Sequence, residues 1–505
     1  MKNSGKYTTQ KCNGVSIGVV FLFILLFIPF FLDAQEESGS FGFGDTSGFG
    51  FEENGGLGFT GGGGSTSSFS VSIGGEVSAE LTGFFDDFSS ARKLENARLG
   101  DIFSGSLNFE ASGSAAQGVI NLTLTPVFDS PVKIDEAYVR AFFGPVTVEG
   151  GIRKITWGKA DSFGPMDVVN PLDYTDLTKL SDPASVKMGR PLIRAAWALG
   201  SFTKLEAVFV PTFQGHKFAT KGRWTPSQIR YIPESIASYI TEGNPLLPLT
   251  KDEIQGELEE WIFYGGIDGL YPDTSVLKYA QAGARFTTTI GSSDLGFQYY
   301  FGRLPRPVVE VIPRDGFITL LPDVQIHMDK IPVAIDYNYY HQIAVDFAQV
   351  IADFNLRAEA GINLTKDLDG SDEAVENPAI VWSLGFDREL FWGITFNLQG
   401  TGSLRLFHDK VSDDFLLDCE AGTSMSSTRI TGILSRKFLR DELEIKVSGL
   451  WGIEDRDFLI IPALIWSRND ISAEIAAGFF GGDKDGELGQ YGDNGYVRII
   501  LSYKF

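Results

Sequence analysis

The sequence predicts an all-β protein: a transmembrane antiparallel β-barrel of about 20 strands, within a range of roughly 16 to 20. Three observations predict it: an N-terminal export signal, strict alternation of apolar and polar residues, and a one-sided distribution of long loops. The predicted strands run to roughly 10–14 residues, against about 5–6 in globular sheets and about 9–11 needed to cross a membrane. We therefore expect a barrel in the outer membrane of a diderm (Gram-negative) bacterium.

The composition excludes several other classes of protein. The 505 residues include 58 Gly and 41 Phe, yet mean hydropathy is +0.01 and 21% of residues are charged, which argues against a multi-span helical membrane protein. An aromatic content of 13% argues against disorder, and a net charge of −23 argues against binding to nucleic acid. Four histidines and two cysteines, without ligand spacing, predict neither a metal site nor a cofactor.

Residues 1–34 are predicted to be a signal peptide. Lysines precede an apolar run over 15–32, and Ala34 offers a small residue at the predicted cleavage point. The run is long for a signal peptide, so an uncleaved membrane anchor is the alternative. Residues 35–66 follow as a tether rich in Gly, Phe and Ser, because glycine at this density cannot recover its ordering entropy by packing. Its repeated Phe-Gly steps could instead contact a partner.

The barrel is predicted over 67–505. In its first strand Phe69, Val71, Ile73, Val77 and Leu81 alternate with Ser and Glu, so one face meets an apolar medium and the other meets water. Short joins such as 144–145, 291–293, 439–442 and 468–470 should lie on the periplasmic side. The long segments all follow odd-numbered strands in this count, as in outer-membrane barrels: 158–189, 214–275, 304–320, 365–376, 407–423 and 481–494.

The chain ends in an alternating aromatic strand, in which Tyr503 and Phe505 are predicted to serve as the assembly signal. This ending resembles the terminal strand that the barrel-assembly machinery of diderm bacteria reads. That machinery during biogenesis and outer-membrane lipid are therefore the expected partners, while the oligomeric state stays open. The sequence shows no catalytic Ser/His/acid set and no phosphate-binding loop, so we expect no enzymatic activity.

Three patches carry a resemblance to a known family: Trp157-Gly158, Asn170-Pro171-Leu172-Asp173 and Arg303-Leu304-Pro305. In these patches the chain resembles a large family of Gram-negative outer-membrane, porin-like barrels of formally unknown function. The resemblance extends over most of 100–505 and implies a channel. It does not include the tether or the helix-like insertion at 226–262.

Extending the alternation assigns charged residues to the lumen face. The alternative is a neutral ladder of ion pairs that fills the barrel without selecting solutes. The predicted pore-lining residues are Glu76, Glu80, Glu149, Arg153, Arg194, Glu206, Arg285, Arg357, Glu359, Arg429, Lys446 and Arg498.

Segment 158–189 is predicted to fold inward and narrow the pore, because its prolines would stiffen it and it carries both signs of charge. The alternative is a loop on the outer rim with solvated charges. The predicted constriction residues are Trp157, Asp161, Asp167, Asn170 and Asp173, with the aspartates facing basic residues such as Arg153 and Arg194.

The 214–275 segment is predicted to be a long, partly helical extracellular loop that caps or plugs the barrel. Helical spacing covers 225–240 and 250–262, and Thr250 with Glu253 matches a capping box. We expect Ile254, Leu258, Trp261 and Ile262 to pack on the barrel mouth. The favoured function is passive diffusion or uptake of small hydrophilic or amphipathic solutes, and the alternative is a non-conducting structural or adhesive barrel that uses this loop for binding.

Overall fold

The computed structural model describes residues 69–85, 103–125, 132–243, 249–312, 316–319, 325–413 and 418–505. The predicted signal peptide (1–34) and tether (35–66) lie outside these residues. Within the described part of the chain, antiparallel strands form one closed 18-stranded barrel. No helix in this part of the chain is long and apolar enough to span a membrane.

The barrel strands follow one another around the ring in chain order, and the last pairs with the first. They are β1 Ser70–Phe84, β2 Phe103–Ser112, β3 Ala116–Leu124, β4 Val132–Phe143, β5 Val146–Arg153, β6 Arg190–Ala198, β7 Thr203–Val210, β8 Gln281–Ile290, β9 Ser293–Arg303, β10 Tyr339–Ile351, β11 Phe354–Thr365, β12 Ala379–Glu389, β13 Ile394–Arg405, β14 Ser426–Phe438, β15 Leu443–Gly452, β16 Asp457–Arg468, β17 Ile471–Gly482 and β18 Tyr496–Lys504.

The alternation of the sequence is realised as two faces of the barrel wall. In β1, Val77 and Leu81 are 53% and 54% exposed on the outer face, while Glu76 and Glu80 are half-buried on the inner face. The period of two places every second side chain on the same face, and cross-strand pairing extends each face around the ring. The result is an apolar outer surface and a polar inner surface.

The ring is closed by β1 and β18. Gly75 and Phe505 exchange two backbone hydrogen bonds of 2.9 and 3.0 Å, and Val77 lies opposite Tyr503. Tyr503 and Phe505 are both about half exposed on the outer face, at 50% and 48%. A Cβ on Gly75 would lie 2.7 Å from the Phe505 ring, so glycine lets the last residue approach β1.

The connections divide into two classes. Those after even-numbered strands have two to four residues, whereas those after odd-numbered strands include 154–189, 211–280 and 304–338. All the predicted long segments fall on the same end of the barrel, which we call the long-loop end; the other is the short-turn end.

The observed 18 strands fall within the predicted range, but the count of about 20 is two too high. The excess falls within 320–352, where two of the predicted strands could merge. There Gln325–Ile326 pairs with Ile318–Thr319 and Val333–Asp336 pairs with Val308–Val311, and both of these partners lie in the predicted 304–320 loop. These short strands pair with each other outside the barrel sheet. Alternation predicts a strand locally but does not identify its partner.

Among the residues that the structure describes, three α-helices lie in the connections: α1 Pro183–Val186, α2 Ser227–Gly243 and α3 Lys251–Phe263. Helix α3 begins with the predicted capping box, in which the Thr250 hydroxyl accepts from the Glu253 N–H and the Glu253 carboxylate accepts from the Thr250 N–H.

The two longer helices share a hydrophobic core with the 304–338 connection. Ile254 and Leu258 are fully buried against Ile236 of α2 and against Phe317 and Ile331 of that connection. Trp261 also packs against this cluster. The partners of these side chains are therefore other connections, and not the barrel mouth as predicted. Helix spacing gives the buried face of a helix but does not give its partner.

Candidate pore and constriction

The structure places all twelve predicted pore-lining residues on the inner face of the barrel. Their chain neighbours, such as Val77, Ile193 and Ile499, are exposed on the outer face. Their role as the lining of a conducting pore stays a prediction. The twelve are Glu76, Glu80, Glu149, Arg153, Arg194, Glu206, Arg285, Arg357, Glu359, Arg429, Lys446 and Arg498.

Ion pairs join part of the inner wall. The carboxylate of Glu149 contacts Arg140 at 2.7 Å, Arg153 at 2.6 Å and Arg194 at 3.0 Å. Arg194 also contacts Glu206 at 2.6 Å, which continues the network from β4 to β7. These contacts pair three arginines with two carboxylates, so the group is charge-paired but not neutral. A neutral ladder that fills the barrel without selecting solutes stays the alternative prediction.

The connection 154–189 folds into the barrel. Within it, a segment at 158–167, which we call the lumen segment, reaches the inner faces of β9, β10, β11 and β13. The carboxylate of Glu359 accepts hydrogen bonds from the backbone N–H of Lys159, of Ala160 at 2.8 Å and of Met166 at 3.3 Å. The side chain of Gln399 accepts from the N–H of Asp161 at 2.8 Å and of Ser162 at 3.3 Å.

Two glycines allow Glu359 to approach the lumen segment this closely. A Cβ on Gly158, whose φ is +93°, would overlap the Glu359 carboxylate, and a Cβ on Gly164 would lie 2.9 Å from its second oxygen. The segment therefore forms a concavity of N–H groups around an anion, with the carboxylate supplied by the barrel wall.

Two wall glutamines bind the carbonyl side of the same segment. Gln298 donates to the Met166 carbonyl at 2.9 Å, and Gln342 donates to the Pro165 carbonyl at 3.0 Å. Sequence reasoning missed both glutamines and the role of Glu359 as an anchor. One feature of the sequence could have indicated these contacts. Gln298 and Gln342 are uncharged polar residues at inward-facing positions of long strands, and the 154–189 connection contains the closely spaced Gly158 and Gly164.

The predicted constriction residues take different places in this loop. Asp161 contacts Arg357 and accepts from Asn397 at 2.8 Å, so it lies against the inner wall of β11 and β13. Arg357 also contacts Asp387 at 2.5 Å. Asp161 therefore faces a basic lumen residue, but that residue is Arg357 rather than Arg153 or Arg194.

The other two aspartates have local partners. Asp167 pairs with Lys187 within the same connection. Asp173 accepts from the backbone N–H of Thr175 at 3.1 Å and from its hydroxyl at 2.6 Å. Their predicted facing of Arg153 and Arg194 is wrong, because both arginines are held on Glu149.

Asn170 and Trp157 fix the base of the loop. The Asn170 amide accepts from the Ile155 N–H at 2.7 Å and donates to the carbonyls of Arg153 and Met188 at 3.0 and 2.8 Å. Trp157 is 3% exposed and packs edge-on against Tyr300 of β9, with 6.2 Å between ring centroids. These contacts join the two ends of the connection and direct it inward.

The far part of the connection reaches the opposite wall. The carbonyl of Thr178 accepts from the Tyr496 hydroxyl and from Arg498, both at 3.2 Å. Trp224, which lies in the 211–280 connection, packs against Phe480 and Tyr491 in a buried hydrophobic cluster that also contains Tyr496. Two connections therefore cover the inner wall of β15–β18 towards the long-loop end.

The inner wall of β1–β3 keeps solvent-accessible polar side chains. Ser78, Ser106, Asn108, Asn121 and Thr123 are all half-buried on this face. Small hydroxyl and amide side chains at successive positions offer hydrogen bonds to water or a polar solute.

A second charged group lies near the long-loop end. Glu487 contacts Arg429 at 2.6 Å and Arg306 at 3.3 Å, and Arg429 beside it lowers the pKa of the Glu487 carboxyl to about 2. Burial lowers the pKa of His216 to about 3, so its ring is neutral at pH 7 and accepts from the Leu172 N–H at 3.0 Å. Burial, with Glu420 nearby, raises the pKa of Glu376 to about 7.

Comparison with known proteins gives structural likeness only. No protein-family model and no curated protein matches the chain. The chain is similar to the solved structures of Acinetobacter baumannii OccAB4 (8% identity, TM-score 0.44, 86% of this chain and 98% of that chain) and Pseudomonas aeruginosa OprD (10%, 0.42, 86% and 95%). It is also similar to Wzi of Escherichia coli, described as a carbohydrate-binding β-barrel (10%, 0.42, 85% and 84%). These TM-scores are below 0.5. The assignment of the fold is therefore based on the strand pairing observed in this chain, and not on these similarities.

Proposed function

We propose that the chain is a porin-like channel of the bacterial outer membrane for passive diffusion or uptake of small hydrophilic or amphipathic solutes. A closed barrel satisfies every backbone group of its wall within the sheet, and its apolar outer face suits hydrocarbon. Aromatic side chains are exposed in two of the short turns, where Phe202, Phe391 and Trp392 are 71%, 84% and 78% exposed. Such exposed rings fit a membrane–water interface better than water.

The observation that carries the channel proposal is the lumen segment anchored on Glu359 and Gln399. It narrows the barrel at mid-height, with the Asp161–Arg357 pair on one side and the polar wall of β1–β3 on the other. A charged pair on one side of the lumen and a polar wall on the other favour dipolar solutes over apolar ones. The carboxylates of Glu76, Glu80 and Glu110 on the polar wall favour cations.

In this proposal the long-loop end is extracellular and the 211–280 connection is an extracellular loop. Its helices form a core with 304–338, which also supports the alternative function of a non-conducting surface barrel with a binding element there. The two functions are distinguished by ion conductance, because a channel conducts ions across the membrane and the surface barrel does not.

The test is ion conductance of the purified full chain in planar lipid bilayers. The channel proposal expects discrete conductance steps with a preference for cations, measured as a reversal potential in a salt gradient. It expects the triple variant Glu76→Gln, Glu80→Gln, Glu110→Gln to lose most of that preference while still conducting. A folded barrel that gives no steps would refute the channel and leave the surface barrel.

A further inference from the structure

A groove of about 540 Å³ lies on the outer face of the barrel at the long-loop end. Four strands form one row there, in which Phe209 of β7, Ala282 of β8, Phe301 of β9 and His341 of β10 are successive cross-strand partners. All four lie near the ends of their strands where the long connections begin.

The groove results from alternating side-chain size across the row. Ala282 is exposed and forms the floor, because its methyl group is much shorter than the flanking rings of Phe209 and Phe301. Phe301 stacks on Tyr339 with 5.9 Å between ring centroids and lies 5.0 Å from the His341 ring. One wall is thus a continuous aromatic shelf.

The upper end of the groove is closed by the chain just before β8. Leu277 is 73% exposed there and Val276 is 43% exposed, which is unusual for neighbouring apolar residues in a water-facing loop. Lys278 is exposed beside them and also lines the groove.

Residues 276–278, which we call the overhang, are held rigidly by their neighbours. Tyr279 is buried, donates to Asp336 at 3.1 Å and has the Arg303 guanidinium 4.0 Å from its ring centroid. The Tyr339 hydroxyl donates to the Lys278 carbonyl at 3.2 Å, which ties the overhang to the aromatic shelf. The groove is therefore a built feature with fixed walls.

We propose that this groove binds one anionic, phosphate-bearing membrane lipid, with an acyl chain along Ala282 between the two phenylalanine rings and the phosphate at Lys278. The inference rests on the proposed membrane placement, which puts the row at the boundary between hydrocarbon and headgroups. An aqueous solute fits poorly, because the groove opens sideways on the apolar face. An ammonium group above an apolar channel complements the two parts of such a lipid.

The test is lipid retention by the full chain, measured by native mass spectrometry from micelles containing equal phosphatidylglycerol and phosphatidylcholine. We expect one phosphatidylglycerol per barrel, retained about fivefold over phosphatidylcholine, as one lysine near a membrane surface provides. Ala282→Phe should abolish retention of both lipids by filling the floor. Ala360→Phe, at an exposed outer-face alanine of β11, is the matched control and should retain both.

The charge is tested separately. Lys278→Gln should keep lipid binding but lose the preference for phosphatidylglycerol, whereas Lys484→Gln, at an exposed lysine of the 483–495 connection, should keep it. Added inorganic phosphate should not displace the lipid, since it lacks the acyl chain.

Equal retention of the two lipids by the native protein, equal behaviour of the Ala282 and Ala360 variants, or displacement by inorganic phosphate would each overturn the proposal. A barrel dimer in place of the lipid-bound species would assign the groove to a second copy of the chain and overturn it as well. If lipid retention fails while bilayer conductance persists, the lipid site alone is wrong. Loss of conductance would instead refute the channel.

Discussion

The anchor of the lumen segment can be tested by Glu359→Ala. This substitution removes the carboxylate that accepts from three backbone N–H groups, while the inner wall of β11 stays intact. Glu359 is 3% exposed, so water does not readily replace its bonds.

The size of the effect follows from the number of bonds. A hydrogen bond to a charged group contributes about 1.5–3 kcal/mol, so three such bonds at the lower value hold the segment by roughly 4–5 kcal/mol. Gln399 would keep two neutral bonds, worth together about 1–3 kcal/mol. Gln298, Gln342 and the Asp161–Arg357 pair would still hold other parts of the segment, so the loosening should be largest beside Glu359. The Glu359→Ala variant should therefore fold as a barrel, and its lumen should be wider than that of the native protein.

Single-channel conductance in planar bilayers measures this widening. We expect Glu359→Ala to raise conductance roughly twofold or more and to add open-channel noise from the moving segment. Glu359→Gln should have a smaller effect, because its amide oxygen still accepts. Glu444→Ala is the matched control, since this half-buried carboxylate lies on the inner face of β15, beside the outward-facing Ile445, and contacts no part of the lumen segment in the structure. If Glu359→Ala and Glu444→Ala conduct alike while both migrate as folded barrels, the lumen segment does not narrow the pore.

Three further expectations concern the two faces of the wall, the mouth and the helical connection. Ile499→Arg, at a residue 45% exposed on the outer face, should lower the free energy of unfolding in lipid by about 2–4 kcal/mol. Ile500→Arg should cost much less, because the cross-strand partners of Ile500 are two glutamates, and equal stability of the two variants in urea would contradict the face assignment. Because the raised pKa of Glu376 is about 7, the group is neutral at pH 6 and charged at pH 8, so cation preference should increase with pH through this window, and Glu376→Gln should flatten the dependence of reversal potential on pH. Thr250→Ala should weaken the first turn of α3 by about 1 kcal/mol, seen as faster amide hydrogen exchange there, while Ser238→Ala, within α2, should leave α3 unchanged.

The sequence predicts the wall of this molecule better than its interior. Alternation assigns a face to each strand residue because the period of two is a local property of the backbone, and it placed Glu359 and Arg357 correctly on the inner side. Within 320–352 the same alternation predicts more barrel strands than the structure has, because Val333–Asp336 pairs with Val308–Val311 of the same connection and not with a strand of the barrel.

The residues that the lumen segment contacts could not be predicted from local sequence patterns either. The inward course of 158–189 is predicted from its mixed charges and prolines, but pairing Asp161 with Arg357 requires the tilt and register of the strands between them. The helices were readable from spacing and from the capping box at Thr250. Their shared core with Phe317 and Ile331 was not, because it joins two connections that a whole strand pair separates in the chain.

The anchoring of the lumen segment also has a consequence for the order of folding. The bond from Lys159 to Glu359 joins residues 200 positions apart, and the bond from Asp161 to Gln399 joins residues 238 positions apart. Contacts so distant in the chain form late, because much of the intervening wall must first be in register. The lumen is therefore wide while the barrel assembles, and it narrows only after β11 and β13 have reached their final register.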